Sequence, residues 1–463
     1  MIRPLVVTFL LCCGIAPMAG SAAQVSWGLT GNDRPHYRVE GSGDPAGAPG
    51  ATVTLRAERP DAGKFGGSIT FLDAAPYRGR TLGLSADLDT CGAMQGASIW
   101  LRADDSKGKT IAFASSQRMP VRGTTSAAHR EIEIVVPTAA THLVMGTALT
   151  GSGEVVARHL HLAVMPSATR NVPPSVVLDA AIRIVKSHAL HAREVDWNWL
   201  EPELHAMAKD AKVPVDVYPA IRTMLARLGD HHSLLMEPQA ARQERTQGGP
   251  SSPAVVALKP GGIGYIDMPG YMGMQAQARH AFVADMVGSI GRIAGQARCG
   301  WVVDLRRDIG GSMLPMLSGL RPLLGDRPLG SFRDADGKLS PFGAANPLDQ
   351  ALPRGPELEH TAVAVLLGPH TASSGEVVAI AFRGRPNTRS FGQPTAGLST
   401  GNTGFGLPDG SKIFLTTSVD VDRTGHAYGG KLQPDQPVAA APTPGSDPTL
   451  DTAQAWLAST CAH

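Results

Sequence analysis

At 463 residues the chain exceeds one ordinary domain, so two or three compact units are expected. Hydrophobic residues at 43% and charged residues at 18% exclude a disordered or fibrous chain, and 53 Gly with 36 Pro call for many turns. The 42 basic residues nearly cancel the 40 acidic ones, so bulk charge gives no reason to expect nucleic acid or an anionic membrane as partner.

The N-terminus, residues 1–23, carries Arg3, an apolar run and then small residues ending at Ala23, the pattern of a signal peptide cleaved before Gln24. The run from Leu5 to Ile15 is too short to span a bilayer, so no stable membrane span is expected after cleavage and the mature protein is placed in the periplasm or outside the cell. Leu10 and Leu11 stand ahead of Cys12 and Cys13 where lipidation would want a small residue. Cys91, Cys299 and Cys461 then remain, enough for one intramolecular disulfide at most and without C-x-x-C spacing for zinc. Cys299, beside the apolar run GWVVDL, reads as a buried thiol.

Residues 24–168 alternate short apolar runs with Gly, Pro and Asp clusters, as in ATVTLRA, ASIWLRAD and REIEIVVP, which predicts an antiparallel β-sandwich. The stretches YRGRTLGLSADL, WLRAD and MGTALTGSGEVVARHLHL resemble a jelly-roll module of the carbohydrate-binding type. That resemblance makes a glycan or other cell-surface ligand a candidate partner, with Trp27, Tyr37, Tyr77 and Trp100 the aromatics to present it, although mid-strand Trp100 suits a core. His159 and His161, two apart, would share a strand face as half of a metal site, and surface histidines are the plainer reading.

Residues 167–173 read as a linker. Residues 173–240 form a helical part, with Val177, Ala181, Ile184 and Val185 on one face and His188 and His191 one turn apart in the first helix, and a small bundle is expected. The polar, Gly/Pro-rich stretch 237–254 predicts a mobile loop. From 255 to 442, short apolar strands alternate with helical patterns, which predicts an α/β core with a largely parallel sheet and a final hairpin around Pro408, Asp409 and Gly410. Residues 443–463 are left as a tail.

The chemistry concentrates in that core. In GPHTASSGEV, residues 368–377, a buried strand runs into small residues and a helix start, which places a hydroxyl at the carboxyl edge of the sheet. Serine is favoured at helix starts for capping alone, so the residues by themselves leave Ser373 and Ser374 open as nucleophile or cap. Glu376, in the first turn, suits the helix dipole. In VVDLRRDIGGS, Gly310 and Gly311 would let a backbone amide approach a reacting carbonyl, while Asp304 and Arg306 hold the loop.

The ordered series LGDHHS, GYIDMP, VVDLRRDIGGS, GPHTASSGEVVAIAF, GQPTAGLSTG and GGKLQPD, across roughly residues 173–440, resembles the S41 serine peptidases, the tail-specific or C-terminal processing proteases and their tricorn-like relatives. The resemblance implies a ClpP/crotonase-like core, protein or peptide substrates and no cofactor or metal. It selects Ser373 as nucleophile, the Ser374 amide as one oxyanion donor, and Gly310 or Gly311 for the second.

A serine hydroxyl needs a base. The Ser/Lys branch places a lysine where this chain has Leu398, and neither Lys412 nor Lys431 is an evident substitute. The tricorn-like branch uses a histidine in a D-x-H-[ST] motif, matched by Asp230, His231, His232 and Ser233, which makes His232 the general base. The residue orienting His232 is not identified, because the branch's glutamate falls near Tyr428. The interval from Leu235 to Gly262 is too short for a PDZ domain. Two other readings stand beside the hydrolase: a binding protein on a degraded peptidase scaffold, motivated by Leu398, and a glycan-targeted hydrolase anchored by its N-terminal module.

Overall fold

Alternation of small apolar and polar residues makes the N-terminal region nearly all strand. In Ala51–Ala57, Ala51, Val53 and Leu55 are fully buried while Thr52 and Arg56 face solvent. The computed structural model describes residues 25–59, 63–117, 120–166, 172–246, 249–273, 275–343, 354–440 and 445–461, so the leader assigned to residues 1–23 lies outside them. Nine strands form one hydrogen-bonded network organised by the long strand Thr81–Asp104. Its first half pairs with Glu154–Met165, its second half with His142–Thr150, and it also pairs with Val121–Val135 and Thr110–Ser115. Repeated register shifts along it let one strand serve several partners. Leu82, Leu84, Ile99 and Leu101 sit in the resulting core without solvent exposure.

Of the four candidate sugar-facing aromatics, Tyr37 is a core residue instead, and Trp100 is buried as its mid-strand place suggests. Tyr37 is 2% exposed with its hydroxyl donating to Gly151 O, and Trp100 is 8% exposed with Nε1 donating to Thr147 O. His159 sits at φ 52° beside Asp87, and among the described residues no three His, Cys, Asp or Glu side chains are grouped to hold a metal.

Helices Pro174–His188, Trp197–Met207 and Tyr218–Ala226 bury Val177, Leu204 and Ile221 against Leu407, Ile413 and Leu415 of the Thr400–Gly406/Lys412–Asp422 hairpin. Asp196 caps the second of these helices through the amides of Asn198 and Trp199. His191 lies beyond the end of the first helix, not one turn along it. The predicted mobile loop contains a helix, Pro238–Thr246. Gln, Ala, Arg and Glu favour helix, proline suits its first position, and the Gly/Pro residues only flank it. This helix touches both neighbours: Gln239 Oε1 accepts the Glu133 amide, Arg242 pairs with Glu133 at 3.0 Å, and Glu244 pairs with Lys412 at 3.0 Å.

The second large sheet has the order Val255–Lys259, Ile263–Asp267, Trp301–Asp304, Val363–Leu367, Thr388–Gly392 and Gln436–Pro437, parallel from its second strand onward. Helices Ala276–Ala294, Met313–Gly319 and Ser374–Ala381 contribute to the core on one face, and Ala453 and Leu457 of Pro448–Cys461 cover the other. The expected C-terminal tail is therefore mostly a packed helix. Cys461 at its end is disulfide-bonded to Cys299, which corrects the reading of Cys299 as a thiol; an odd cysteine count had left the pairing open. Cys91 is free and exposed. No helix among the described residues is long and apolar enough to cross a membrane.

Candidate active site

Strand Val363–Leu367 is buried throughout and delivers the chain to a turn at the sheet's carboxyl edge. Thr371 Oγ1 fastens that turn by donating to Leu305 O at 2.8 Å while accepting from Gly368 N at 3.1 Å. Ser373 then takes φ 52° and ψ −121°, a conformation a side chain rarely adopts, immediately before helix Ser374–Ala381. Glu376 supports this strained position from beneath. Its fully buried carboxylate accepts from Ser373 N (2.9 Å), Leu398 N (2.7 Å), Gly397 N (3.0 Å) and Thr395 Oγ1 (2.5 Å). Burial pushes its pKa up while these four donors pull it back. Its work thus goes beyond the helix dipole, since it ties the serine turn to segment 395–398.

His232 reaches the same point from the helical part. Asp230 Oδ1 accepts the amides of His232 (2.9 Å) and Ser233 (2.8 Å), folding the turn after helix Tyr218–Ala226 without touching the imidazole. Asn402 Nδ2 donates to His232 O at 2.9 Å. The ring lies with Nε2 3.0 Å from Ser373 Oγ and Nδ1 2.7 Å from Thr400 Oγ1. Burial lowers the His232 pKa, with the Asp230 charge acting in the opposite direction, so the imidazole is neutral near pH 7. If Nε2 accepts from Ser373, Nδ1 carries the hydrogen and donates to Thr400. His231 is exposed at φ 54°.

The diglycine packs against the serine turn. A Cβ on Gly310 would lie 2.9 Å from Ser373 Cβ, and one on Gly311 would lie 2.0 Å from Tyr271 O, so neither position admits a side chain. The Gly310 amide donates to Asp308 Oδ1 at 2.9 Å and is not free to serve an oxyanion. The Gly311 amide has no acceptor among the described residues, nor does that of Ser374, whose hydroxyl donates to Gly311 O at 2.6 Å. Of the two glycines, Gly311 is the one whose amide is left without an acceptor among the described residues.

The lysines stand elsewhere. Lys412 pairs with Glu244, and exposed Lys431 runs its stem past Gly397. Arg306 binds Asp304 and Asp447, holding the loop to the C-terminal helix, and Tyr428 donates to Asp422.

Residues 262–438 match the model of peptidase family S41. This stretch is an S41 peptidase domain. The nisin-resistance protein of Lactococcus lactis subsp. lactis is 33% identical over 139 residues, covering 28% of this chain and 42% of that protein. The chain spans less than half the length of the curated relatives it matches, 42% and 43%. A lipoprotein from Streptococcus agalactiae shares the fold at a TM-score of 0.54 and 24% identity, over 64% of this chain and 98% of that one. The photosystem II D1 C-terminal processing protease aligns at a TM-score of 0.43 and 18% identity, over 58% of this chain and 93% of that one.

Thr400 is the site residue that sequence reasoning missed. It is one hydroxyl among several in STGNTG, 168 positions from His232, and only the pairing of its strand brings it to the ring.

Proposed function

We propose that the protein is a serine peptidase acting outside the cytoplasm, with Ser373 as nucleophile and His232 as general base. The observation that carries this reading is the 3.0 Å approach of His232 Nε2 to Ser373 Oγ with Thr400 behind the ring at 2.7 Å. In the first step Nε2 takes the Ser373 proton as Oγ bonds to the peptide carbonyl carbon. The carbonyl oxygen becomes an oxyanion held by the amides of Ser374 and Gly311. His232 then gives its proton to the departing amine as the C–N bond breaks, and water releases the acyl group by the same steps in reverse roles. Thr400 offers a neutral acceptor to Nδ1 where triads commonly offer a carboxylate, so the imidazolium gains less stabilisation and the histidine stays a modest base.

Labelling by a fluorophosphonate tests this. Wild type is expected to label, Ser373→Ala to abolish labelling, and His232→Ala to slow it by about a hundredfold or more. Labelling that survives Ser373→Ala and is lost in Ser374→Ala would reverse the assignment. A wild type that never labels would favour a binding protein on a degraded scaffold.

A second reading concerns the N-terminal unit, which we take to be a jelly-roll sandwich. Phe71, Val144, Arg102 and Phe113 are direct cross-strand partners in one row, with Phe71 57% and Phe113 53% exposed. Such a ring-bearing row supports a glycan contact. Retention of residues 24–166 on a polysaccharide column, lost in Phe71→Ala/Phe113→Ala, is the corresponding test.

A further inference from the structure

Asp308 is an expensive residue to keep beside the serine. Its side chain is fully shielded from solvent; Oδ1 accepts the Gly310 amide, and Oδ2 has no hydrogen-bond partner among the described residues. Leaving a buried polar atom unmet destabilises the fold. The fold nevertheless clears room for this carboxyl with two glycines. A Cβ on Gly375 would lie 2.8 Å from Asp308 Cγ, and one on Gly270 would lie 3.3 Å from Oδ1. The Asp308 backbone is fixed at both ends, its amide donating to Leu305 O and its carbonyl accepting from Ala372 N, each at 3.0 Å. Asp308 therefore bridges the residue preceding Ser373 and the diglycine opposite it.

We propose that Asp308 is a positioning residue, whose side-chain oxygen holds the Gly310 peptide in place so that the next amide, that of Gly311, is presented toward Ser373 as an oxyanion donor. The proposal rests on the reading of Ser373 as nucleophile. What it requires of Asp308 is an acceptor of the right reach, not a charge. Burial pushes the carboxyl up to about 7, with the Gly310 bond pulling it down, so the neutral form is well populated near neutral pH. Asparagine keeps both the reach and the acceptor.

The test compares the full chain with Asp308→Ala and Asp308→Asn, each checked for an intact thermal transition. Three quantities are read: the fluorophosphonate labelling rate at Ser373, kcat and KM on an unstructured peptide substrate, and amide hydrogen exchange of the segment 305–314. Asp308→Ala is expected to lower labelling and kcat by about tenfold to a hundredfold with little change in KM, because a displaced donor weakens the transition state and not ground-state binding. It is also expected to speed exchange at the diglycine. Asp308→Asn is expected to recover most of the rate and the protection. Unchanged rate and exchange in the alanine variant, or an asparagine variant as impaired as alanine, would overturn the proposal. If the alanine variant does not fold, Asp308→Ser, too short to reach Gly310, takes its place. A wild type that neither labels nor hydrolyses would defeat the proposed function, and exchange alone would then decide on Asp308. Protection lost in alanine and kept in asparagine supports it, and equal exchange in all three rejects it.

Discussion

The N-terminal sheet and the peptidase domain differ in that the second, beside partnered buried acids such as Asp304 and Asp409, also buries unpartnered ones. In the sheet, Asp33 and Asp104 are buried and partnered, the first with His36, the second with Arg102 and Thr110. In the peptidase domain, Asp308 and Asp420 are buried with three of their four carboxyl oxygens unpaired among the described residues, and fully buried Glu376 holds the Ser373 turn close by. The two buried acids of the N-terminal sheet are thus both paired. Unpaired ones gather where a strained serine has to be held, which is where costs to stability and chemistry are expected to coincide.

The two regions also differ in covalent ties, and that difference gives the largest effect. Cys299 and Cys461, 162 positions apart, staple the C-terminal helix to the peptidase sheet, whereas Cys91 in the N-terminal sheet is free. Cys461→Ser is expected to lower the stability of the peptidase domain by about 5 kcal/mol on the chain-entropy account. Calorimetry should show that loss with any separate transition of the N-terminal sheet unmoved; a shift of both would mean the regions unfold as one.

A smaller effect sharpens the contrast in buried acids. Burial, reinforced by the charge of Glu376, raises Asp420 from 3.8 to about 8. The folded state thus keeps a proton that the unfolded chain has released, so this group's contribution is fully present below about pH 4 and is lost as pH rises toward 8. Asp420→Asn should match wild type near pH 4 and exceed it by about 1–3 kcal/mol at pH 8 in denaturant melts. Equal stability at both pH values would show that Asp420 carries no such cost.

How much of this was legible in the sequence differs residue by residue. Ser373 and His232 are marked by the family resemblance of the ordered motif series and not by their own short motifs, and the structure brings His232 Nε2 within 3.0 Å of Ser373 Oγ. The alternation of apolar residues announced the strands of both regions because side-chain direction repeats every two positions. Thr400 was hidden because a threonine in a polar, glycine-rich stretch carries no local mark of its partner. The second role of Glu376 was hidden for a related reason: its dipole position explained it locally, and its bonds to Gly397 and Leu398 depend on a distant turn. Helix Pro238–Thr246 was masked by the glycines and prolines around it, and helix Pro448–Cys461 by its weak apolar pattern, in which Ala453 and Leu457 are the buried apolar residues.

The central claim is that a buried neutral histidine, and no lysine, activates Ser373. The pH dependence of the fluorophosphonate labelling rate tests it most directly. Because burial lowers the His232 pKa, the rate should rise with pH along a single titration whose midpoint lies below 6.5, level off by neutral pH, and lose that titration in His232→Ala. A rate that keeps climbing into the alkaline range, with the same profile in His232→Ala, would contradict the account.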